Sequence, residues 1–236
     1  LSALQVIGDI TLVATAQQFG GFTLAELDKV LLPYAHKTWN KAYTAATQEL
    51  GLNEDVARRF ADKILLRELE QGFQSLELKL NTVPCSRGDF AFTTISFGQW
   101  DINWSDEDKR LMALINSVML RVRRNGHGKD HKPVVFPKLV YLYDKNQVKN
   151  DLHSAQLFDE AVKTSSTCMY PDYLSISSEY GTVSRLFREE GVITSPMGCR
   201  AYLSPWKDPE TGKYVTIGRC NIGAVSLNIP LMIKVE

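Results

Sequence analysis

The chain has 236 residues, 44% of them hydrophobic and 23% charged, and carries 27 basic and 27 acidic side chains. That length supplies the core of one large domain or two small ones. The balanced charge excludes an overall field that would favour nucleic acid, a membrane surface or an acidic substrate, and leaves phosphate-bearing small molecules held by a local cluster.

No apolar run approaches the ~20 residues of a membrane span. Residues 1–18 hold no proline and place Leu4, Ile7, Thr11 and Ala14 on one face, which predicts a largely buried helix despite Gly8. Gly20-Gly21 ends it in a short loop. Thr23, with Glu26 three residues on, reads as a capping box that opens a second helix over 24–50, broken at Pro33. Gly51 stops that helix, Asn53 restarts the chain, and a charged amphipathic helix is expected over 54–69. Residues 74–80 fit helix and strand alike. Residues 81–89 have the composition of a loop, and the β-branched and aromatic run 90–97 that of a strand.

A basic-ended helix is expected over 106–124, closed by Asn125-Gly126-His127-Gly128. The near-continuous apolar run 138–143 predicts a strand buried on both faces. A helix over 155–166, a strand over 173–177 and a helix over 184–190 follow. Residues 201–203 and 215–217 flank a turn at 208–212, and 224–229 reads as the last strand. Strands separated by helices predict a mainly parallel α/β arrangement in a single domain or a piece of one.

The chain opens Leu1-Ser2-Ala3-Leu4-Gln5, without an initiator Met or the layout of a signal peptide. It stops at Ile233-Lys234-Val235-Glu236, so both ends read as cuts within a longer protein. Cys85, Cys168, Cys199 and Cys220 lie far apart with no C-x-x-C pair, which argues against a zinc site and fits a reducing compartment.

Chemistry-bearing residues concentrate in Ser195-Pro196-Met197-Gly198-Cys199-Arg200 and, further on, Gly218-Arg219-Cys220-Asn221-Ile222-Gly223. Pro and Gly put Cys199 in a turn, and Gly198 permits close approach of backbone or ligand. On spacing alone, an inert buried thiol is the stronger reading of Cys199. Asn221 taken alone is first a turn asparagine at a strand end. Cys220, facing away from Asn221 on a strand, is expected to pack.

A series of segments in chain order changes that balance: Ala3-Leu4-Gln5, Gln18-Phe19-Gly20-Gly21-Phe22-Thr23, Glu70-Gln71-Gly72-Phe73-Gln74, Leu80-Asn81-Thr82-Val83, Ser86-Arg87-Gly88-Asp89, Phe92-Thr93-Thr94-Ile95-Ser96-Phe97-Gly98, Phe136-Pro137-Lys138-Leu139-Val140, Met169-Tyr170-Pro171-Asp172 and Ser195-Pro196-Met197-Gly198-Cys199-Arg200. Together they resemble the anaerobic (class III) ribonucleoside-triphosphate reductases over nearly the whole chain. A formate-lyase or diol-dehydratase relative would share a barrel and a finger cysteine, but not the segments at Ser86 and Gln71.

The resemblance implies part of a ten-stranded α/β barrel of the glycyl-radical type. Residues 1–75 would form a helical effector and dimer region, and 76–236 barrel strands and helices with a finger loop at about 193–206. It implies reduction of ribonucleoside triphosphates to deoxyribonucleoside triphosphates, with Cys199 at the finger tip as the thiyl radical that removes the ribose 3′-hydrogen. Asn221 matches the asparagine that faces substrate and formate, the reductant of many members; redoxin-dependent members tend to carry glutamate there. Gln18, Gly20, Ser86 and Arg87 fall in segments that would bind a dNTP or ATP effector, although Arg87 read by itself is part of an ordinary surface loop.

The parent would be a cytoplasmic homodimer without nucleic-acid or membrane partners. Its glycyl radical would be installed by an S-adenosylmethionine-dependent iron–sulfur activating enzyme. The glycyl-radical motif, a zinc site and an ATP-binding regulatory module would lie outside these residues. The segment holds no cofactor or metal of its own on this reading, and alone would be inactive or serve only as a nucleotide-binding and dimerisation module.

Overall fold

A computed structural model describes residues 2–18, 20–86, 88–198, 202–203, 205–220 and 226–233. Helix α1 (Ser2–Gln17) leads into strand β1 (Phe22–Leu24), then α2 (Leu27–Thr44), a π-helical turn (Ala45–Glu49) and the long α3 (Glu54–Thr82). Strand β2 (Thr93–Phe97), α4 (Asp106–Asn125) and β3 (Lys138–Tyr143) follow, then α5 (Lys145–Asn150), α6 (Leu152–Ser165), β4 (Asp172–Ser175) and α7 (Thr182–Glu190). A two-residue antiparallel ribbon, β5 (Trp206–Lys207) with β6 (Tyr214–Val215), and a short α8 (Ile229–Ile233) complete the described chain. No described helix is long and apolar enough to cross a membrane.

Strands β1 to β4 form one parallel sheet in sequence order, with Thr23 opposite Thr94, Ile95 opposite Leu139 and Tyr141 opposite Tyr173. The fold is therefore α/β with a parallel sheet. Side chains alternate between its faces. Ile95, Phe97, Leu139 and Tyr141 point to one face and join Leu31, Leu65, Phe73, Leu111, Ile115 and Leu157 in a single core under α2, α3, α4 and α6. Thr94 and Ser96, with Thr23 alongside, point to the other. Val140 and Leu142 of β3 share that second face and are buried as well, as the continuous apolar run predicts.

Local signals explain most boundaries. Asn53 caps α3 by accepting the Val56 N–H at 3.0 Å, and Ser105 caps α4 through Asp108 N at 3.1 Å. Gly126, at φ 66°, turns the chain out of α4.

Four expectations are corrected. Thr23 caps nothing: it lies in β1, and α2 starts at Leu27 behind Glu26, whose left-handed backbone (φ 49°) offers no side-chain cap. Pro33 does not break α2. Its ring sits on the exposed side, and burial of Leu27, Leu31, Ala35 and Ala42 around it outweighs the lost hydrogen bond. Helix α1 is buried along Leu4, Gly8, Thr11 and Thr15 only, while Val6, Ile10 and Val13 are more than half exposed. The last expected strand is absent among the described residues: 226–228 are irregular and Ile229–Ile233 is helical. The ambiguous stretch 74–80 belongs to α3, which runs unbroken past Gly72.

Candidate functional site

The sheet face opposite the helices receives the segment 195–198. Three hydroxyls hold it. Thr23 Oγ1 donates to the Pro196 carbonyl at 2.9 Å, Ser96 Oγ and Ser195 Oγ share a hydrogen bond at 2.7 Å, and the Gly198 N–H donates to Thr94 Oγ1 at 3.1 Å. Ser96 Oγ also accepts the Glu26 N–H at 2.9 Å, so β2, the entry to α2 and the segment share one node.

Approach is close enough to demand glycine twice. A Cβ on Gly198, at φ 58°, would lie 2.8 Å from the Phe92 ring, and one on Gly21 would lie 2.9 Å from Gly198 Cα. Pro196, Met197 and Gly198 are buried here.

Beside this segment lies a cavity of about 460 Å³. Its walls include Gln18, Thr23, Ser195 and Met197 from the sheet side, and Arg219 and Cys220 from the loop after β6. The wall mixes apolar residues such as Phe22, Leu203 and Ile217 with the hydroxyls of Thr23, Thr194, Ser195 and Thr216 and the Arg219 guanidinium, polar groups that can bond sugar and phosphate oxygens. Among the described residues no group of three or more His, Cys, Asp or Glu is placed to hold a metal ion.

Residues 1–234 match the sequence profile of the anaerobic ribonucleoside-triphosphate reductase. The chain is 33% identical over 230 residues to the anaerobic ribonucleoside-triphosphate reductase of Enterobacteria phage T4, covering 97% of this chain and 35% of that protein. It is 31% identical over 230 residues to the enzyme of the same name from Escherichia coli K12 and 33% identical over 231 residues to that from Haemophilus influenzae, covering 30% of each. The chain belongs to the anaerobic ribonucleoside-triphosphate reductase family. It spans about a third of the length of these relatives.

Of the site residues expected for a reductase of this family, Cys199, Asn221 and Arg87 lie outside the described residues. The residues just before them in the chain are described. Met197 and Cys220, two residues before Cys199 and one before Asn221, line the same cavity. Gln18 lines it too, and its side-chain amide donates to the Gly21 carbonyl at 2.9 Å. Gly20 turns with φ 95°, and Ser86 is exposed in a turn closed by Gly88 N–H on the Cys85 carbonyl at 2.8 Å. Cys220 is exposed at the cavity instead of packed, because it sits in a loop and not on a strand. Thr94 and Ser96 were not singled out from the sequence. Their signal was the hydroxyl at every second position of Thr94-Ile95-Ser96, which marks a polar strand face.

Beneath the node, Asp28 is fully buried at the start of α2 and accepts hydrogen bonds from Gly98 N at 2.7 Å, Asn116 Nδ2 at 2.8 Å and Lys29 N at 3.0 Å. Lys29 in turn bonds Glu26 and reaches Gln99 Oε1 at 2.7 Å. Burial pushes the Asp28 carboxyl up from 3.8 to about 6, against the lowering effect of its hydrogen bonds. A raised value means the folded state holds this proton more tightly than the unfolded one. Its contribution is greatest below about pH 4 and is lost as pH rises to about 6, a difference of about 3 kcal/mol. Asp108, whose carboxyl is held low by Ser105 and His36, works in the opposite direction. The comparison of wild type with Asp28→Asn therefore isolates Asp28. Denaturant titrations should show the variant gaining stability relative to wild type across that interval, and parallel pH profiles would refute the assignment.

Proposed function

We propose that this chain is the central barrel segment of an anaerobic ribonucleotide reductase. The full-length parent would reduce ribonucleoside triphosphates, with Cys199 as the hydrogen-abstracting thiyl radical and Asn221 orienting substrate or formate. The observation that carries this reading is the seating of 195–198 on the hydroxyl-bearing sheet face, with Arg219 and Cys220, from the loop after β6, on the same cavity.

Four parallel strands in sequence order, with the helical core on one face, support an arc of a ten-stranded barrel completed by strands elsewhere in the parent. A doubly wound sheet would instead carry helices on both faces.

On this reading Cys199 follows a glycine, which has no side chain to crowd a substrate approaching the thiol. Buried Pro196 and Met197 exclude water from its base. A glycyl radical elsewhere in the parent, installed by the S-adenosylmethionine-dependent activase, would supply the unpaired electron. Cys199 then takes the hydrogen from C3′: the S–H bond forms, the C3′–H bond breaks, and the unpaired electron passes to the sugar. Asn221 holds a ribose hydroxyl or the formate carboxylate with an amide that donates and accepts without titrating. Overall, ribonucleotide, formate and a proton give deoxyribonucleotide, carbon dioxide and water.

The effector reading takes Gln18, Gly20 and Ser86, which lie on loops that precede β1 and β2 at the same end of the parallel sheet, together with Arg87, the residue after Ser86 in sequence. The second loop runs into Phe92, whose ring abuts Gly198, so a nucleotide there has a short physical route to the finger. The exposed Val6, Ile10 and Val13 on α1 fit a homodimer surface.

Assay of the full-length parent tests the reading. Activated without oxygen and given labelled formate, it should form deoxynucleotide and labelled carbon dioxide in equal amounts, and should sediment as a dimer. The 236-residue chain alone should be inactive. Equal turnover with a reduced redoxin and no labelled carbon dioxide would reassign the reductant, and no deoxynucleotide with either would end the proposal.

A further inference from the structure

We infer that Thr23, Thr94 and Ser96 are positioning residues for catalysis: their hydroxyls set the height and direction of the segment that presents Cys199. The inference rests on the proposed role of Cys199 and adds the question of what aims it.

The three hydroxyls act on successive points of one short backbone. Ser96 meets Ser195, Thr23 meets the Pro196 carbonyl and Thr94 meets the Gly198 N–H, so the segment runs against the direction of β2 and is fixed at both ends. Thr94 and Ser96 are 1% and 0% exposed, and β2 lies between β1 and β3, so these anchors sit on a strand paired along both edges. Thr23 is paired in register with Thr94, which aligns their side chains on one face.

No apolar residue of similar shape could do this work. Valine in place of Thr94 would keep the volume and leave the buried Gly198 N–H without its acceptor. The segment would relieve that by shifting, and the shifted amide belongs to the residue directly before Cys199. Movement of Gly198 toward Phe92 or Gly21 is blocked, because a Cβ on Gly198 would lie 2.8 Å from the Phe92 ring and one on Gly21 would lie 2.9 Å from Gly198 Cα. Displacement would therefore be outward, into the cavity. A displacement of about 1 Å at a reacting atom costs a rate factor on the order of 10².

The test uses the full-length parent with Thr94→Val, Thr94→Ser, Thr23→Val and Cys199→Ala. Turnover is expressed per glycyl radical measured by electron paramagnetic resonance, which removes losses of folded or activated enzyme. Thr94→Val should lower kcat about 10²-fold with the nucleotide KM unchanged, Thr23→Val should lower it less, and Thr94→Ser should restore it. In the enzyme before activation, the rate at which iodoacetamide labels Cys199, read by peptide mass spectrometry, should rise in Thr94→Val and stay at the wild-type value in Thr94→Ser.

Wild-type kcat and labelling in Thr94→Val, with Cys199→Ala inactive, would overturn the inference and leave the proposed function standing. Equal loss of turnover per radical in Thr94→Ser and Thr94→Val would also overturn it, because packing and not the hydroxyl would then be responsible. If Thr94→Val does not fold, a drop in turnover per radical with raised labelling in Thr23→Val supports the inference, and wild-type values there overturn it. Activity in Cys199→Ala would instead remove the reading on which it rests.

Discussion

Replacing Cys199 by Ala in the full-length parent is expected to abolish deoxynucleotide formation while effector binding stays at its wild-type strength. The expectation is categorical because of the chemistry assigned to the residue. Hydrogen abstraction from a ribose C–H needs an acceptor whose new bond is close in strength to the bond broken, and a thiyl sulfur provides one. A methyl side chain at the same place cannot carry the unpaired electron on those terms. Serine would not substitute either, since its O–H bond is much stronger than S–H. Effector binding is a separate measurement: equilibrium binding of a dNTP to the parent should be unchanged in the variant, since Cys199→Ala removes a sulfur atom and alters none of the residues assigned to the effector. Deoxynucleotide formed by the Ala variant at any rate above the unactivated enzyme would remove the assignment of Cys199.

How much of this was legible in the residues depends on the range of the interaction that decides each element. Strand β3 was readable to the residue, because an apolar run from Leu139 to Tyr143, with Leu139 to Leu142 buried on both faces, leaves no competing pattern. Helix α4 was readable as well: its apolar period is strong, with acidic residues in the first turn and Arg123 and Arg124 in the last. The restart at Asn53 was read from the sequence, and the structure shows it to be a local cap.

Thr23 shows where local reading fails. Its spacing to Glu26 satisfies a capping box, yet its hydroxyl is taken by a carbonyl 173 residues later, and its backbone pairs with β2. No window around Thr23 contains either partner. Pro33 fails for a related reason, since the apolar face of α2 that outweighs the proline is defined by what packs on it from α3 and α4.

The site divides along the same line. The turn of Ser195-Pro196-Met197-Gly198 was visible as a turn, and the family likeness pointed to the residue after it. What seats that turn was not visible, because Thr94 and Ser96 gain meaning only when the sheet shows which face they occupy. Likewise Cys220 reads as a strand residue until the cavity shows it on a loop.

The clamp between α3 and α4 should produce the largest loss of stability from a single side chain. Glu77 and Arg123 have side chains 3% and 1% exposed and meet at 2.8 Å between Oε1 and Nε. Glu77 Oε2 pairs with His127 Nε2 at 3.0 Å, and Arg123 Nη2 donates to the Pro137 carbonyl at 2.6 Å. The guanidinium also lies over the Tyr170 ring, 5.6 Å from its centroid. Thus two helices, the turn after α4 and the chain entering β3 converge on one buried pair.

Glu77→Ala leaves the Arg123 charge buried without its carboxylate, which should cost about 3–5 kcal/mol. Most of that cost is the stranded charge and not the worth of the pair. It follows that Glu77→Leu combined with Arg123→Met, which removes both charges and keeps apolar volume, should recover much of the loss. Denaturant unfolding of Glu77→Leu, Arg123→Met and the double variant closes the cycle, with Glu77→Ala measured beside them. Additive losses, or a Glu77→Ala variant within about 1 kcal/mol of wild type, would show that the pair is solvated in the folded chain and that the clamp is not what holds α3, α4 and β3 in register.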